Sequence, residues 1–308
     1  MRFEGIHHVT AITGDAPANV DFYTRLLGLR LVKKTVNQDD PTVYHLFYAD
    51  ERGSAGSDIT FFENPGAARG RAGAGMVHTV AFRVASADSL SFWHERLSAD
   101  GLAPRLEPDR VTFADREGLR LELEIDTSGD EPLVAENPEI PPEHAIRGFA
   151  GVRAYAADPD LGRDFLEQTL AFEPDGEARW QIRGERRGSF YTRDAAPPEH
   201  GLSGAGTVHH VAWASPMDEH ETWQRRVAEA GMRPTPVIDR FYFRSVYFRE
   251  RGGVLFEIAT LGPGFATDEP LEELGRHLSL PPAFEHLRGQ LEGVLTPLPE
   301  PPRHPVSR

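Results

Sequence analysis

Four short stretches of the chain alternate apolar and polar residues with a period of two. They are IHHVTAIT from Ile6, VHTVAFRV from Val77, FAGVRAYA from Phe149 and VHHVAWAS from Val208. That period is the mark of a strand with one buried face. After each, the spacing changes to that of a helix. Apolar pairs four apart, Phe22/Leu26, Trp93/Leu97 and Trp223/Val227, give three of the helices one face to lay on a sheet. The first helix is predicted over 17–27, entered through Asp15 and closed by Gly28. The second is predicted over about 88–97 with Gly101 beyond it, and the fourth opens with Ser215 as cap and Pro216 in its first turn and ends at Gly231. The third unit is the most degraded, with a helix starting at the Asp158-Pro159 cap. Further strands complete each unit: LRLVKKTV, TVYHLFYAD and DITFFE in the first, GLRLELEI ending the second, GSFYT ending the third, and FYFRSVYFRE and GVLFEIAT in the fourth.

The chain therefore reads as an α+β protein of four βαβββ units forming two open, rolled mixed-sheet barrels. Residues 1–125 form one domain of two units and 146–261 a second. The acidic stretch 126–145, with four prolines, links them. Residues 262–308 form a proline-rich extension expected to wrap the body, with a short helix around 271–278 and fraying beyond Pro297.

Composition narrows the chemistry. There is no cysteine, which excludes disulfides, thiolate metal sites and cysteine nucleophiles. The 48 acidic residues against 33 basic ones give a net charge of -15, a poor match for nucleic acid or an anionic membrane. Only Lys33 and Lys34 are lysines. No leader-like apolar run opens the chain, and no stretch has the length of a membrane helix, so a cytoplasmic protein is expected.

Alternation decides which polar residues point inward. Ile6, His8 and Thr10 share a face opposite His7 and Val9; Val208, His210 and Ala212 share one opposite His209 and Val211. On the last strand, Glu257 shares a face with Leu255 and Ala259. A carboxylate so placed needs a metal, an arginine or a proton. Superposing the unit starts places His8 on Thr79, Gly151 and His210. Superposing the last strands places Glu257 on Glu122 and near Phe61. Two imidazoles and one carboxylate form the facial triad that holds Fe(II), and the same set accepts Mn, Zn or Ni. Glu122 has only Thr79 opposite it and is expected to be structural. The other histidines are given no metal role, although His45 and His220 are placed where a cavity could be reached. The pairs alone leave open which histidine of each HH faces the metal.

The segments HHVTAITGDAPANVDFYTRLLGLRLVKKTVNQDDPTVYHLFYAD, TVHHVAWAS and PVIDRFYFRSVYFRE, the last continuing through Arg251 into GGVLFEIAT, resemble the vicinal oxygen chelate superfamily of glyoxalase I, extradiol dioxygenases and bleomycin-resistance proteins. Within it the chain is similar to ring-cleaving dioxygenases of hydroquinones; Arg251 stands where proline is expected. The resemblance implies Fe(II) held by His8, His210 and Glu257. It places His7, His209 and Thr10 in the pocket or directly behind the ligands, and Arg240 and Tyr247 near the metal. The implied substrates are a small aromatic diol and O2, and a homo-oligomer is compatible. Arg240 and Tyr247 are an odd number of residues apart, so a bulge or turn is required for both to reach the metal. Ordinary two-domain catechol dioxygenases take their ligands from units three and four. Here unit three carries Gly151, so His8 must supply the missing ligand, and units one and four must face each other. Two rivals remain: a glyoxalase-like isomerase of thiol adducts, which would want a second carboxylate, and a non-catalytic aromatic-binding protein, which would want no triad.

Overall fold

All four units form in the expected order. Unit one contains β1 (Ile6–Thr13), a helix, β2 (Arg30–Asn37), β3 (Asp40–Ala49) and β4 (Asp58–Glu63). Unit two contains β5 (Met76–Val84), a helix, β6 (Arg105–Leu106), β7 (Arg110–Ala114) and β8 (Arg120–Ile125). Unit three contains β9 (Phe149–Ala156), a helical turn, β10 (Glu173–Pro174), β11 (Arg179–Arg183) and β12 (Gly188–Ala195). Unit four contains β13 (Val208–Ser215), a helix, β14 (Ile238–Asp239), β15 (Phe243–Arg249) and β16 (Leu255–Pro263). The computed structural model describes residues 1–300. None of its helices is long and apolar enough to cross a membrane.

The strands make two eight-stranded sheets. One runs β14-β15-β16-β13-β1-β4-β3-β2, the other β10-β11-β12-β9-β5-β8-β7-β6. Unit one therefore joins unit four through the antiparallel β1–β13 pair, and unit two joins unit three through β5–β9. Each sheet takes one unit from each half of the chain, so neither 1–125 nor 146–261 owns a sheet. The first sheet curls until its two ends meet. Gln38, at the tip of the β2–β3 hairpin, donates from Nε2 to the Arg240 carbonyl beyond β14 at 2.8 Å, and Asp39 pairs with the Arg240 guanidinium at 3.0 Å.

The helices differ from expectation in instructive ways. Asp15 accepts from the Ala18 amide and starts α1 (Ala16–Val20), which widens over Asp21–Leu26 into turns with Leu27 N–H bonded to the Phe22 carbonyl. Gly28 ends it at φ +72°. Unit three repeats that wide turn at Phe165–Thr169, but Ala171 takes the positive φ without glycine's freedom. The expected start at Asp158-Pro159 is instead a run of turns, and Asp158 accepts from the Asp160 amide. In unit two, Ser86 caps α2 (Ala87–Ala99). Ser215 does not cap the unit-four helix. It ends β13, and α3 (His220–Glu229) begins after Glu219 without a side-chain cap. Phe22, Trp93, Phe165 and Trp223 bury the helices against the sheets.

Strict alternation fails at one residue at the start of every unit. Ile6 pairs with Trp213 but His8 with Ala212, so His7 is an extra residue; Thr10 pairs with His210 but Ala11 with Val208, so His209 is another. The same shifts in the second sheet make His78 and Ala150 extra. Four bulges at one repeat position put Ile6 and Val208 in the core under the helices, not on the face of His8 and His210.

The extension returns across β2. Ser279 N–H bonds the Lys34 carbonyl at 2.9 Å, and Arg30 donates to the carbonyls of Leu271 and Glu272. The helix expected over 271–278 is a single turn, Leu271–Glu273; another short helix, α4 (Arg288–Leu291), follows. Of the stretch beyond Pro297 that is expected to fray, 301–308 lie outside the described residues. Lys33, fully buried, reaches Asp268 at 2.8 Å and also Glu269. Removing a buried cation leaves its acids uncompensated. Lys33→Met should lower the urea-unfolding free energy by about 3 kcal/mol, whereas Lys34→Met, on the neighbouring residue, should cost far less.

Candidate metal centre

The floor of the curled sheet is made by two parallel strand pairs, β1 with β4 and β13 with β16. In register, Ala212 pairs with Glu257, and Thr10 pairs with Thr60. Each pair lies two residues beyond a ligand histidine, His210 or His8. Thr60, not Phe61, is therefore the unit-one counterpart of Glu257. In the second sheet Ala81 pairs with Glu122 and Arg153 with Thr192, so Glu122 is the true repeat mate of Glu257.

His8, His210 and Glu257 come together, all buried, on adjacent strands of units one and four. Glu257 Oε2 lies 2.8 Å from His210 Nε2 and 3.1 Å from His8 Nε2, and the two nitrogens are 3.2 Å apart. Ser245 donates to the other carboxylate oxygen, Oε1, at 2.5 Å, while Oε2 has no hydrogen bond of proper geometry. Burial alone would raise the Glu257 carboxyl, but His8 and His210 hold it well below the usual range. Three donor atoms converging on one buried point fit a divalent cation. No other group of three such side chains occurs among the described residues. Glu122 instead meets Arg110 at 3.4 Å.

The first histidine of each pair stands behind the second. His7 Nε2 is 3.1 Å from the Thr260 carbonyl, and a carbonyl can only accept, so this nitrogen carries the hydrogen. His7 Nδ1 is then a lone pair, and His8 Nδ1–H donates to it across 2.9 Å. That leaves His8 Nε2 bare and aimed at the metal position. Burial and the adjacent His8 push the His7 pKa down to about 3, so the ring is neutral. His209, whose pKa burial and His210 bring down to about 4, places Nδ1 at 2.8 Å from His210 Nδ1 and can accept in the same way from the exposed side. The bulges make this arrangement, because they let consecutive histidines meet at Nδ1.

A pocket of about 440 Å³, open to solvent, leads to His8 and His210. Phe47, Phe62 and Phe243 line it, with Arg240 and Tyr247 on the unit-four side. A turn with Phe241 at φ +72° and a register shift between Phe243 and Ser245 separate those two residues, and so both reach the pocket. The Arg240 guanidinium sits over the Tyr247 ring at 5.6 Å, and burial followed by Glu257 raises the Tyr247 pKa, keeping its phenol protonated. Thr10 does not line the pocket; its hydroxyl bonds Thr60 at 2.8 Å. His45 does line it, bonded to Thr60 at 2.8 Å, whereas His220 is buried beside Ser215. No motif in the sequence marks Thr60 or Ser245 as part of the site; of the two histidines placed where a cavity could be reached, His45 reaches it and His220 does not. Only strand register assigns Thr60 and Ser245.

The model of the Glyoxalase/Bleomycin resistance protein/Dioxygenase superfamily matches residues 5–129 and 148–258. The chain belongs to this superfamily. It is 41% identical over 302 residues to MhqO of Bacillus subtilis (strain 168), named as a ring-cleaving dioxygenase, covering 95% of this chain and 96% of that protein. It is 32% identical over 312 residues to the chlorohydroquinone/hydroquinone 1,2-dioxygenase of Sphingobium indicum, covering 94% and 95%. A crystal structure of a dioxygenase from Bacillus subtilis superposes with a TM-score of 0.90 at 40% identity over 97% of this chain and 98% of that one. Maize glyoxalase I, at 13% identity and TM-score 0.59 over 89% and 97%, shares the fold. Within the superfamily the chain groups with ring-cleaving dioxygenases.

Glu257→Gln should lose at least about 90% of bound metal, measured by elemental analysis after dialysis, with an unchanged circular dichroism spectrum. Glu122→Gln should keep its metal. His7→Phe removes only the acceptor behind His8 and should weaken metal affinity roughly 10–100-fold in a chelator competition.

Proposed function

We infer that the protein is a metal-dependent ring-cleaving dioxygenase that takes a hydroquinone-type aromatic and O2 and opens the ring beside a hydroxylated carbon, with Fe(II) as its metal. The observation that carries this reading is a single-carboxylate triad at the end of an aromatic-walled pocket, in a chain related along its length to ring-cleaving dioxygenases. His8, His210 and Glu257 would hold the metal, which when bound would supply a redox-active centre for a phenolate oxygen and O2. His7 and His209 keep the ligand histidines correctly turned through their Nδ1 contacts. Phe47, Phe62 and Phe243 sandwich the ring and exclude water. Arg240, over Tyr247, offers positive charge to oxygen atoms that gain negative charge during cleavage, and Tyr247 offers a proton. Thr10 acts only through Thr60. The second sheet repeats the strand pattern, and we infer that it rolls likewise without a metal.

A glyoxalase-like isomerase is disfavoured by one position. Thr60 occupies the place where a second inward carboxylate would stand, and a hydroxyl is too weak a base for that role. An empty binding cup is disfavoured by the intact triad.

A catechol can grip a metal with two oxygens, while a para-diol offers one and depends on the pocket to orient it. Fe(II)-loaded protein should consume O2 with hydroquinone or methylhydroquinone at a kcat/KM at least about tenfold above that for catechol. A higher value for catechol would defeat the substrate assignment. Zn-supported isomerisation of a thiol adduct without O2 uptake would defeat the dioxygenase reading itself. Protein purified without oxygen should carry one iron per chain.

A further inference from the structure

The unit-one wall of the pocket carries a polar group that the triad does not need. His45 pairs in register with Phe62, two residues beyond Thr60; Ser245 pairs with Ala259, two residues beyond Glu257. His45 is thus the repeat mate of Ser245. Ser245 holds Glu257, and His45 is held by Thr60. The half of the site without a carboxylate has an imidazole on the equivalent hydrogen bond.

That imidazole is fixed on every side but one. Its Nε2 is 2.8 Å from Thr60 Oγ1, which is in turn 2.8 Å from Thr10 Oγ1. Its ring packs on Phe47 and Phe62 with centroids 4.0 and 4.4 Å away. With Nε2 committed, Nδ1 is the nitrogen left for the pocket. Beside it, Thr35 pairs with His45 across β2 and β3 and lines the same pocket. The Thr35 hydroxyl is buried near Tyr242 and has no hydrogen bond of normal geometry. Polar atoms left incomplete against aromatic walls cost free energy unless a ligand completes them.

We propose that His45, tethered by Thr60 and assisted by Thr35, recognises the ring hydroxyl para to the one directed at the metal centre. This rests on the hydroquinone reading above. Burial, followed by His8 and His210, holds the His45 pKa well below its ordinary value, so the ring is neutral and Nδ1 either accepts or donates. A phenolic hydroxyl can answer either tautomer. Phenol lacks that group and leaves His45 unpaired.

The test is anaerobic equilibrium binding of hydroquinone and of phenol to metal-loaded protein, alongside O2 uptake and metal content. Wild type should bind hydroquinone more tightly than phenol. In His45→Phe the preference should fall at least about tenfold, with phenol affinity within about twofold of wild type and one metal per chain retained. His45→Gln should recover part of the preference, and Thr35→Val should reduce it by about threefold. Should the Phe variant lose its metal, His45→Gln and Thr60→Val, which cuts the tether, decide the matter: an undiminished preference in both overturns the proposal. An undiminished preference in metal-replete His45→Phe makes His45 a packing residue. Wild type that binds hydroquinone selectively without consuming O2 defeats the dioxygenase reading but not the recognition role; wild type with no preference for hydroquinone defeats this proposal.

Discussion

A carboxylate at zero exposure between two imidazoles is the constraint around which the first sheet is organised. Glu257 cannot stay ionised there on the strength of one serine hydrogen bond. Positive charge where Oε2 and the two Nε2 atoms converge holds it ionised, from the imidazoles or from a cation that the three donors fit. This makes the ionised carboxylate dependent on partners from neighbouring strands. The dependence reaches through the chain, because the two histidines come from β1 and β13, held side by side by pairing between the first and last units. His8 and His210 are 202 positions apart, and the whole second sheet lies between them.

Much of this was legible in the sequence because two periodicities dominate it. Strand alternation and i, i+4 apolar pairs marked four units, and equal spacing inside them aligned His8 with His210 and Glu257 with Glu122. Gly151 at the unit-three position required a ligand from unit one, and the β1–β13 pairing supplies it. What alternation could not show was its own interruption. An extra residue at 7, 78, 150 and 209 carries no compositional signal, since histidine and alanine fill the bulges as readily as regular strand positions. Alternation alone therefore puts Ile6 and Val208 on the wrong face and locates the unit-one mate of Glu257 only to the neighbourhood of Phe61. Ser215 resembled a helix cap because serine before proline commonly starts a helix, but here β13 runs through it and its hydroxyl bonds the Pro216 carbonyl. Ser245 and Thr60, joined to the site only by cross-strand register, have no local pattern to reveal them, and His45 stands out only as a histidine inside unit one.

The second sheet shows what the repeat becomes without the metal constraint. Thr79 replaces the ligand histidine, and Glu122 turns to Arg110 at 3.4 Å, so its charge is met by a protein cation. At the mate of His210, Gly151 is held so close to β12 that a Cβ would lie 2.5 Å from the Phe190 carbonyl oxygen. A histidine could not enter there without displacing a neighbouring strand. The bulge persists, and His78 bonds Thr79 across it at 2.8 Å just as His7 bonds His8. The backbone device is shared by all four units, but the chemistry is confined to two.

Within the first sheet the approximate two-fold symmetry is broken at one place that matters. Symmetric units would present two histidines and two carboxylates, a more saturated cage. Thr60 in place of a carboxylate removes a negative ligand and leaves that side of the metal position neutral. Fewer protein donors mean more positions for exogenous oxygen atoms, and a lower ligand charge leaves more of the cation's charge to polarise them. The hydrogen bond that a carboxylate would have claimed goes to His45, which turns a lost ligand into a fixed feature of the pocket wall. An asymmetric cup, with charge and donors at one end and aromatic walls between, suits a ring that must present one oxygen to the metal and keep the other away from it.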